Sequence, residues 1–400
     1  MVKHSFFKLF LAALAIFLAI GFTVNAKVFI VDNYKFVEQY TSLDCAINDS
    51  GDGDTIYISG SPHPYPIRSD HRINNRTFIG IGYNPQTPTD FSSIIVGNDS
   101  CIFNFWNGVT SSSINKIPDY LFSNDSNLTF EGINFIANNG NSNWYNMNNI
   151  KFIRCYFSTG TYNFSARPWN YPGGLQNVES SSLEFFNCIF EHCKISGGDI
   201  GSSDYNAMGS NTFNSFIFNC IFWYSDILYF SGNEIDNNVF IGCYNGSVLN
   251  HISHSVFNNN MFNGAPDSSF GNDSYCRFNN NLFTNTVTLP PDGERNSSMN
   301  NQNGQSSGFT KLISGTAWSY SNDFHLQTGS AGKNNGTDGR DIGIFGGPMP
   351  FPQIADGTTD YTGEPAELPV IRSLNYMNSG GFPVVGKDGQ VQFQVRAIKK

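Results

Sequence analysis

One six-residue pattern returns along the middle of this chain, and it leaves few folds open. An apolar residue is followed by any residue, a polar one, Asn or Cys, any residue, and Phe. The best copies are Phe185-Phe186-Asn187-Cys188-Ile189-Phe190, Ile217-Phe218-Asn219-Cys220-Ile221-Phe222, Ile235-Asp236-Asn237-Asn238-Val239-Phe240, Phe257-Asn258-Asn259-Asn260-Met261-Phe262 and Phe278-Asn279-Asn280-Asn281-Leu282-Phe283. Looser copies begin at Phe130 and Phe152, so the starts at 130, 152, 185, 217, 235, 257 and 278 step by 22, 33, 32, 18, 22 and 21 residues. Each copy is too short and one-sided to bury its own apolar face. Stacked at a strand spacing of about 4.8 Å, the copies bury a continuous Phe/Ile/Val column. Self-similarity at this period is the mark of a solenoid.

The fourth position of the pattern reads Cys155, Cys188, Cys220, Asn238, Asn260, Asn281 down the chain. This predicts one inward corner that changes from a Cys stack to an Asn stack. Cys acts there as a small apolar residue, and Asn side chains hydrogen-bond along such a ladder. The other five cysteines, Cys45, Cys101, Cys193, Cys243 and Cys276, leave disulfides open, and the sequence does not pair them. Zinc is not expected, because no CxxC or paired-His spacing occurs.

The N-terminus reads as a leader for export. Lys3, His4 and Lys8 precede an apolar run from Leu9 to Phe22, and Val24-Asn25-Ala26 offers a small-residue cleavage site, so residues 1–26 are expected to be removed and the mature chain to begin at Lys27. The alternative is an uncleaved membrane anchor, for which the run is short. The expected destination is secretion or the cell surface. Charged residues make up 14% of the chain and the net charge is −10. This excludes nucleic acid, which calls for basic patches, and gives no support for electrostatic binding to an anionic polymer. An apolar fraction of 40% that recurs regularly argues against disorder.

From these residues the chain resembles the pectate-lyase-like right-handed parallel β-helix superfamily, in particular exported β-helix surface proteins of Bacteroidetes-type bacteria, over about residues 30–350. Two flanking motifs sharpen the resemblance. Leu43-Asp44-Cys45-Ala46-Ile47-Asn48 leads into the acidic glycine turn Gly51-Asp52-Gly53-Asp54 and a first strand, like that family's capping helix and opening. Phe36, Tyr40, Leu43 and Ile47 have helical spacing, so one face could close the solenoid end. His325 to Gly347 is similar to the closing motif of surface-anchored relatives, with Ala331-Gly332-Lys333 where the family usually carries Pro-Ala-Ile. The expected fold is therefore all-β, a right-handed parallel β-helix (solenoid) over residues 27–349, with an N-terminal capping helix. Residues 350–400 are expected to form a Pro-rich linker and a small C-terminal β appendage, as attachment segment or cap. Its strand candidates are Val370–Tyr376 and Val391–Ile398. A solenoid capped at both ends is expected to be a monomer.

Fold does not give function. The implied superfamily holds lyases, hydrolases, esterases, adhesins and structural proteins. A lyase needs an Arg or Lys base near carboxylates that hold Ca2+, and a hydrolase needs paired carboxylates. No clear set of either kind stands out, so no cofactor is expected unless the chain is a lyase. The catalytic candidates are Arg167 and Arg154, the latter also reading as a surface arginine at a corner. The acidic turn Asp49–Asp54 has a calcium reading, but its spacing fails the EF-hand pattern, and backbone capping is the expected role. The two long steps of 33 and 32 residues imply turns that bulge from one edge. The first carries Tyr162, Arg167, Trp169 and Tyr171, and the second His192, Asp204 and Tyr205. Aromatics beside polar groups suit sugar stacking, and loops on a rigid scaffold commonly hold such sites. These seven residues are the expected ligand site, for an extracellular polysaccharide or cell-surface component. A non-catalytic binding protein is the leading expectation, and a polysaccharide lyase or other carbohydrate-active enzyme the alternative.

Overall fold

The computed structural model describes residues 26–34, 38–66, 75–80, 82, 93–96, 103–104, 127–137, 141–145, 149–165, 182–196, 215–228, 230, 232–242, 248–250, 252–266, 275–289, 297–353, 357 and 359. Its strands coil into a parallel β-helix. A first sheet of 11 strands runs in strict chain order from Val28–Val31 to Ser297–Met299. A second sheet of 13 strands takes the other half of each rung, from Tyr65–Pro66 to Leu282–Phe283. Both are parallel throughout, with every copy of the repeat in register: Phe152 pairs Phe185 in the first sheet, and Phe222 pairs Phe240 in the second. In the middle rungs a third face folds off, where Thr161–Ser165 pairs Asn141–Tyr145 and Lys194–Ser196 pairs Asp226–Leu228. The right-handed crossover preferred by twisted parallel strands sets the expected hand of the coil.

The six-residue pattern is the corner between the two sheets. Its first residue faces in from a strand of the first sheet that ends on the second residue, and its last faces in from the second sheet. The aromatic columns fill the interior: Phe222, Phe240, Phe262 and Phe283 stack with centroids 4.5, 4.7 and 5.0 Å apart. The third residue turns the chain through left-handed backbone, with φ of 52° at Asn187, 54° at Asn219, 58° at Asn237 and 55° at Asn259. Asn tolerates this region better than most residues. Arg154, at φ 52°, is in the same place.

The fourth residue then points inward in single file, as the repeat predicts. Cys188 N–H donates to Cys220 Sγ at 3.4 Å, and Cys220 N–H to Asn238 Oδ1 at 2.8 Å. Asn238 donates both its backbone N–H and its Nδ2 to Asn260 Oδ1, at 2.9 and 3.0 Å, and Asn260 does the same to Asn281. The file continues one step beyond the repeat, to Asn301. Each Asn thus satisfies buried donors of the rung before it, which would otherwise cost stability.

The other described cysteines belong to the same architecture. Cys193 stands in a second corner column, its N–H on Ser225 Oγ at 3.0 Å. Cys276 follows Asn233 and Ser255 in a third, where Asn233 N–H donates to Ser255 Oγ. Cys45, Cys155, Cys188, Cys193, Cys220 and Cys276 are all free thiols, and Cys101 and Cys243 lie outside the described residues.

Both ends of the interior are covered. At the start a helix, Leu43–Asp49, buries Leu43, Ala46 and Ile47 against the first rung. It is shorter than the spacing from Phe36 predicts, because Tyr40 exchanges backbone hydrogen bonds with Ile30 and Asp32 and is held extended. At the far end the last rung substitutes Ser298 for the Phe column, and Asn301 Nδ2 donates to Ser298 Oγ at 2.7 Å. A polar terminal rung is what a solenoid end needs in water.

The fifth position of the pattern, read as indifferent in sequence, is the exception to the inward logic. Tyr156, Ile189, Ile221, Val239, Met261 and Leu282 point outward yet are buried. They form a second core with Phe309, Phe324, Leu326, Ile342, Ile344 and Phe351 from the C-terminal segment. That segment runs back along the corner asparagines. Asn280 Nδ2 donates to Asn335 O, Asn259 exchanges two bonds with Thr337, Asn219 Nδ2 reaches Ile344 O and Gly346 O, and Asn187 Nδ2 reaches Met349 O. Gly346 and Gly347 lie so close to Asn237 that a Cβ would sit 2.7 and 2.5 Å from its side chain. The predicted closing motif is thus a strap along the corner. Strand candidates Val370–Tyr376 and Val391–Ile398 lie outside the described residues.

Two substitutions test this core. Asn260→Ala strips an acceptor from two buried donors of Asn238 and is expected to cost about 2–4 kcal/mol. Phe262→Asp, in a fully buried position, is expected to prevent folding. Urea unfolding checks both, and parent-like midpoints would refute the stacking described.

Candidate binding face

Of the predicted ligand residues, Arg167, Trp169, Tyr171, Asp204 and Tyr205 lie outside the described residues. Tyr162 sits on the strand Tyr156–Ser165, paired with Ile195. His192 is described, on the strand Ile189–Ser196. It occupies a left-handed corner (φ 51°) before the second long turn, stacks on Tyr224 with centroids 5.6 Å apart, and sets Nε2 2.8 Å from Thr316 O. Its ring therefore helps hold the strap. Beside it, Glu191 accepts from Tyr156 Oη and from Trp318 N–H, and Trp223 Nε1 donates to Thr316 O. Burial, with Glu191 nearby, raises the hydroxyl pKa of both Tyr156 and Tyr320. This joint docks the strap, and its carboxylate is fully engaged.

Arg154, a catalytic candidate that also reads as a surface arginine at a corner, is not at the surface. It is 4% exposed, buried at the same left-handed corner position as Asn187 and Asn219. The acidic turn behaves as a capping turn: Asp54 accepts from Lys27 N–H and Gly51 N–H, Asp52 from Asn75 Nδ2, and Asp49 from Tyr40 Oη.

What the register assembles instead is the outward face of the first sheet. Side chains alternate across a strand, so the residues on either side of each inward aromatic form two outward columns. One reads Lys151, Glu184, Phe216, Glu234, and the other Glu131, Ile153, Phe186, Phe218, Asp236. Phe186, Phe216 and Phe218 are half-buried and touch one another, with ring centroids 5.9 Å (Phe186 to Phe218) and 5.8 Å (Phe216 to Phe218) apart. Lys151 Nζ lies 5.6 Å from the Phe186 centroid and 2.8 Å from Glu184 Oε2. The strands carrying these aromatics start at Leu183 and Phe216, where the two long turns re-enter the coil. Those turns also leave from paired neighbours, Tyr156–Ser165 and Ile189–Ser196.

Asp236 completes the face. Its carboxylate accepts from Asn258 N–H at 3.0 Å and Asn258 Nδ2 at 3.1 Å. Burial pushes its pKa up to about 7; the Asn258 bonds oppose that rise, and Glu234, on the same side of the strand, adds to it. In the sequence Asp236 stands where the next two copies of the repeat carry Asn258 and Asn279. One column of the face is, in sequence, the residue preceding each copy of the repeat, Lys151, Glu184, Phe216 and Glu234 in turn.

No protein-family profile matches this chain, and no curated protein matches it. Among solved structures it is similar to a pectin methylesterase from Aspergillus niger, at 12% identity and a TM-score of 0.27, covering 72% of this chain and 91% of that one. The β-helix assignment rests on the strand pairing itself.

Asp236 predicts a pH dependence. Its folded pKa lies above the unfolded value of 3.8, so the folded state binds the proton more tightly. The stabilisation is complete below about pH 4 and is lost as pH rises toward 7, by at most about 1.4 kcal/mol per pH unit. Asp236→Asn is expected to remove that slope in urea titrations run at several pH values.

Proposed function

We propose that this chain is an exported β-helix protein that binds extracellular polysaccharide, without catalysis, on the outward face of its first sheet and the adjoining long turns. The observation that carries the reading is the half-buried trio Phe186, Phe216 and Phe218 beside the Lys151–Glu184 pair. Sugar rings present apolar C–H faces that stack on such aromatics, while charged neighbours hydrogen-bond the hydroxyls. A rigid sheet holds these groups at rung spacing without an ordering cost on binding. The sequence of the adjoining turns adds Trp169, Tyr171 and Tyr205. Export is supported by the leader-like residues 1–26.

A second reading, a carbohydrate-active enzyme, draws on Asp236 and Glu234. A carboxyl that titrates near neutrality beside a second carboxylate is the pairing acid–base hydrolysis uses.

Affinity electrophoresis of the mature protein in gels containing neutral and charged polysaccharides tests both. Retardation is expected, and Phe218→Ala should weaken it roughly tenfold, equivalent to about 1.4 kcal/mol. Parent-like retardation in that variant would remove the face from the reading. Release of reducing ends that disappears in Asp236→Asn would replace binding by hydrolysis.

A further inference from the structure

Resting on that reading, we infer that the polysaccharide held on the first-sheet face is one that carries amino sugars, with protonated amines meeting its carboxylates. The rung of Phe216 and Phe218 is flanked by Glu184 on the rung before it and by Glu234 and Asp236 on the rung after. Lys151, the cation nearest this rung on the face, is already paired with Glu184. Glu234 has no ion-pair partner among the described residues. One rung beyond Lys151 stands a further carboxylate, Glu131, and the exposed Arg277 lies two rungs past Asp236.

An apolar platform set between carboxylates fits a sugar with a C–H face and an ammonium group. Stacking takes the ring, and the carboxylate accepts charge-assisted hydrogen bonds from the amine. A polyuronate would instead bring its carboxylates against this face and against a chain of net charge −10, a repulsion that selects against it.

The probes are a glucosamine oligomer, its fully N-acetylated neutral counterpart and polygalacturonate, titrated calorimetrically against the mature chain near pH 5.5, where sugar amines are protonated and Asp236, below its pKa of about 7, is largely neutral, so that Glu234 and Glu184 are the acceptors tested. The expected result is binding of the glucosamine oligomer roughly tenfold tighter than the acetylated one, with polygalacturonate not bound. The preference should shrink in Glu234→Gln, while Phe218→Ala weakens both oligomers alike. Equal binding of the two oligomers, or a preference for polygalacturonate, overturns the inference and leaves glycan binding standing. No binding of any probe, with none in affinity gels, overturns both.

A separate observation carries a second inference: the structure assigns Lys27 as the mature N-terminus, with its new amine received by Asp54. Lys27 N lies 2.7 Å from Asp54 Oδ1, the other oxygen of Asp54 accepts from Gly51 N–H at 2.7 Å, and Asp54 is 6% exposed. Hydrolysis of the Ala26–Lys27 bond by a signal-peptidase-class protease adds water. The new carboxylate leaves on Ala26, and an ammonium forms on Lys27, turning a neutral hydrogen bond into an ion pair at the first rung. N-terminal sequencing of the exported protein should begin at Lys27. That chain should melt at a higher temperature than one retaining Ala26. The difference should vanish in Asp54→Asn and fade as pH rises through the amine's pKa. A start elsewhere, or equal melting of the two chains at neutral pH, overturns the assignment.

Discussion

The rest of this structure depends on one contact: the oxygen of a corner asparagine accepting two N–H donors from the residue one rung earlier. At the corner the residues on either side of the inward one still pair backbone to backbone with neighbouring rungs, as Asn237 N–H does with Asn258 O, but the inward residue's own N–H needs a side-chain acceptor where no water reaches it. Asn260 Oδ1 serves both donors of Asn238, and Asn281 Oδ1 serves those of Asn260. In the middle rungs Cys155, Cys188 and Cys220 take the place with sulfur. Burial raises the thiol pKa of Cys155 and Cys188 strongly, so they stay protonated and behave as small apolar residues. The file fixes register, and register lets phenylalanines stack on phenylalanines over consecutive rungs.

The same corner has an outer side. The left-handed asparagine preceding each inward residue presents its amide to the exterior, and the strap takes these amides with its carbonyls and with Thr337. A parallel β-helix with apolar residues on both sides of its second sheet would expose a broad hydrophobic face. Here the segment from Phe309 to Phe351 covers it. This assigns the faces: the second sheet is spent on internal packing, and no described segment covers the outward side of the first sheet, where the aromatics are half-buried.

Chemistry follows from that division. On the strap side polar groups serve internal contacts, as Glu191 does with Tyr156 and Trp318. On the open side, charge and aromatic side chains stand in rows whose spacing the rungs set. Burial against its neighbours, more than any single partner, gives Asp236 its high proton affinity.

Much of this was legible in the sequence. The step near 21 residues, the inward Phe columns, the Cys-to-Asn file and the helix over Leu43 to Ile47 follow from periodicity and side-chain size, which are local properties. Only the tertiary structure decided which residues share an outward column. Glu184 and Phe216 are 32 residues apart and become neighbours through strand pairing across a long turn. It also decided that the fifth repeat position is buried, because its cover comes from residues far along the chain, and that His192 meets the strap and Arg154 is buried at its corner. A repeat fixes what one rung needs from the next. What lies on the outside of the stack depends on where the remaining chain returns, which no short pattern encodes.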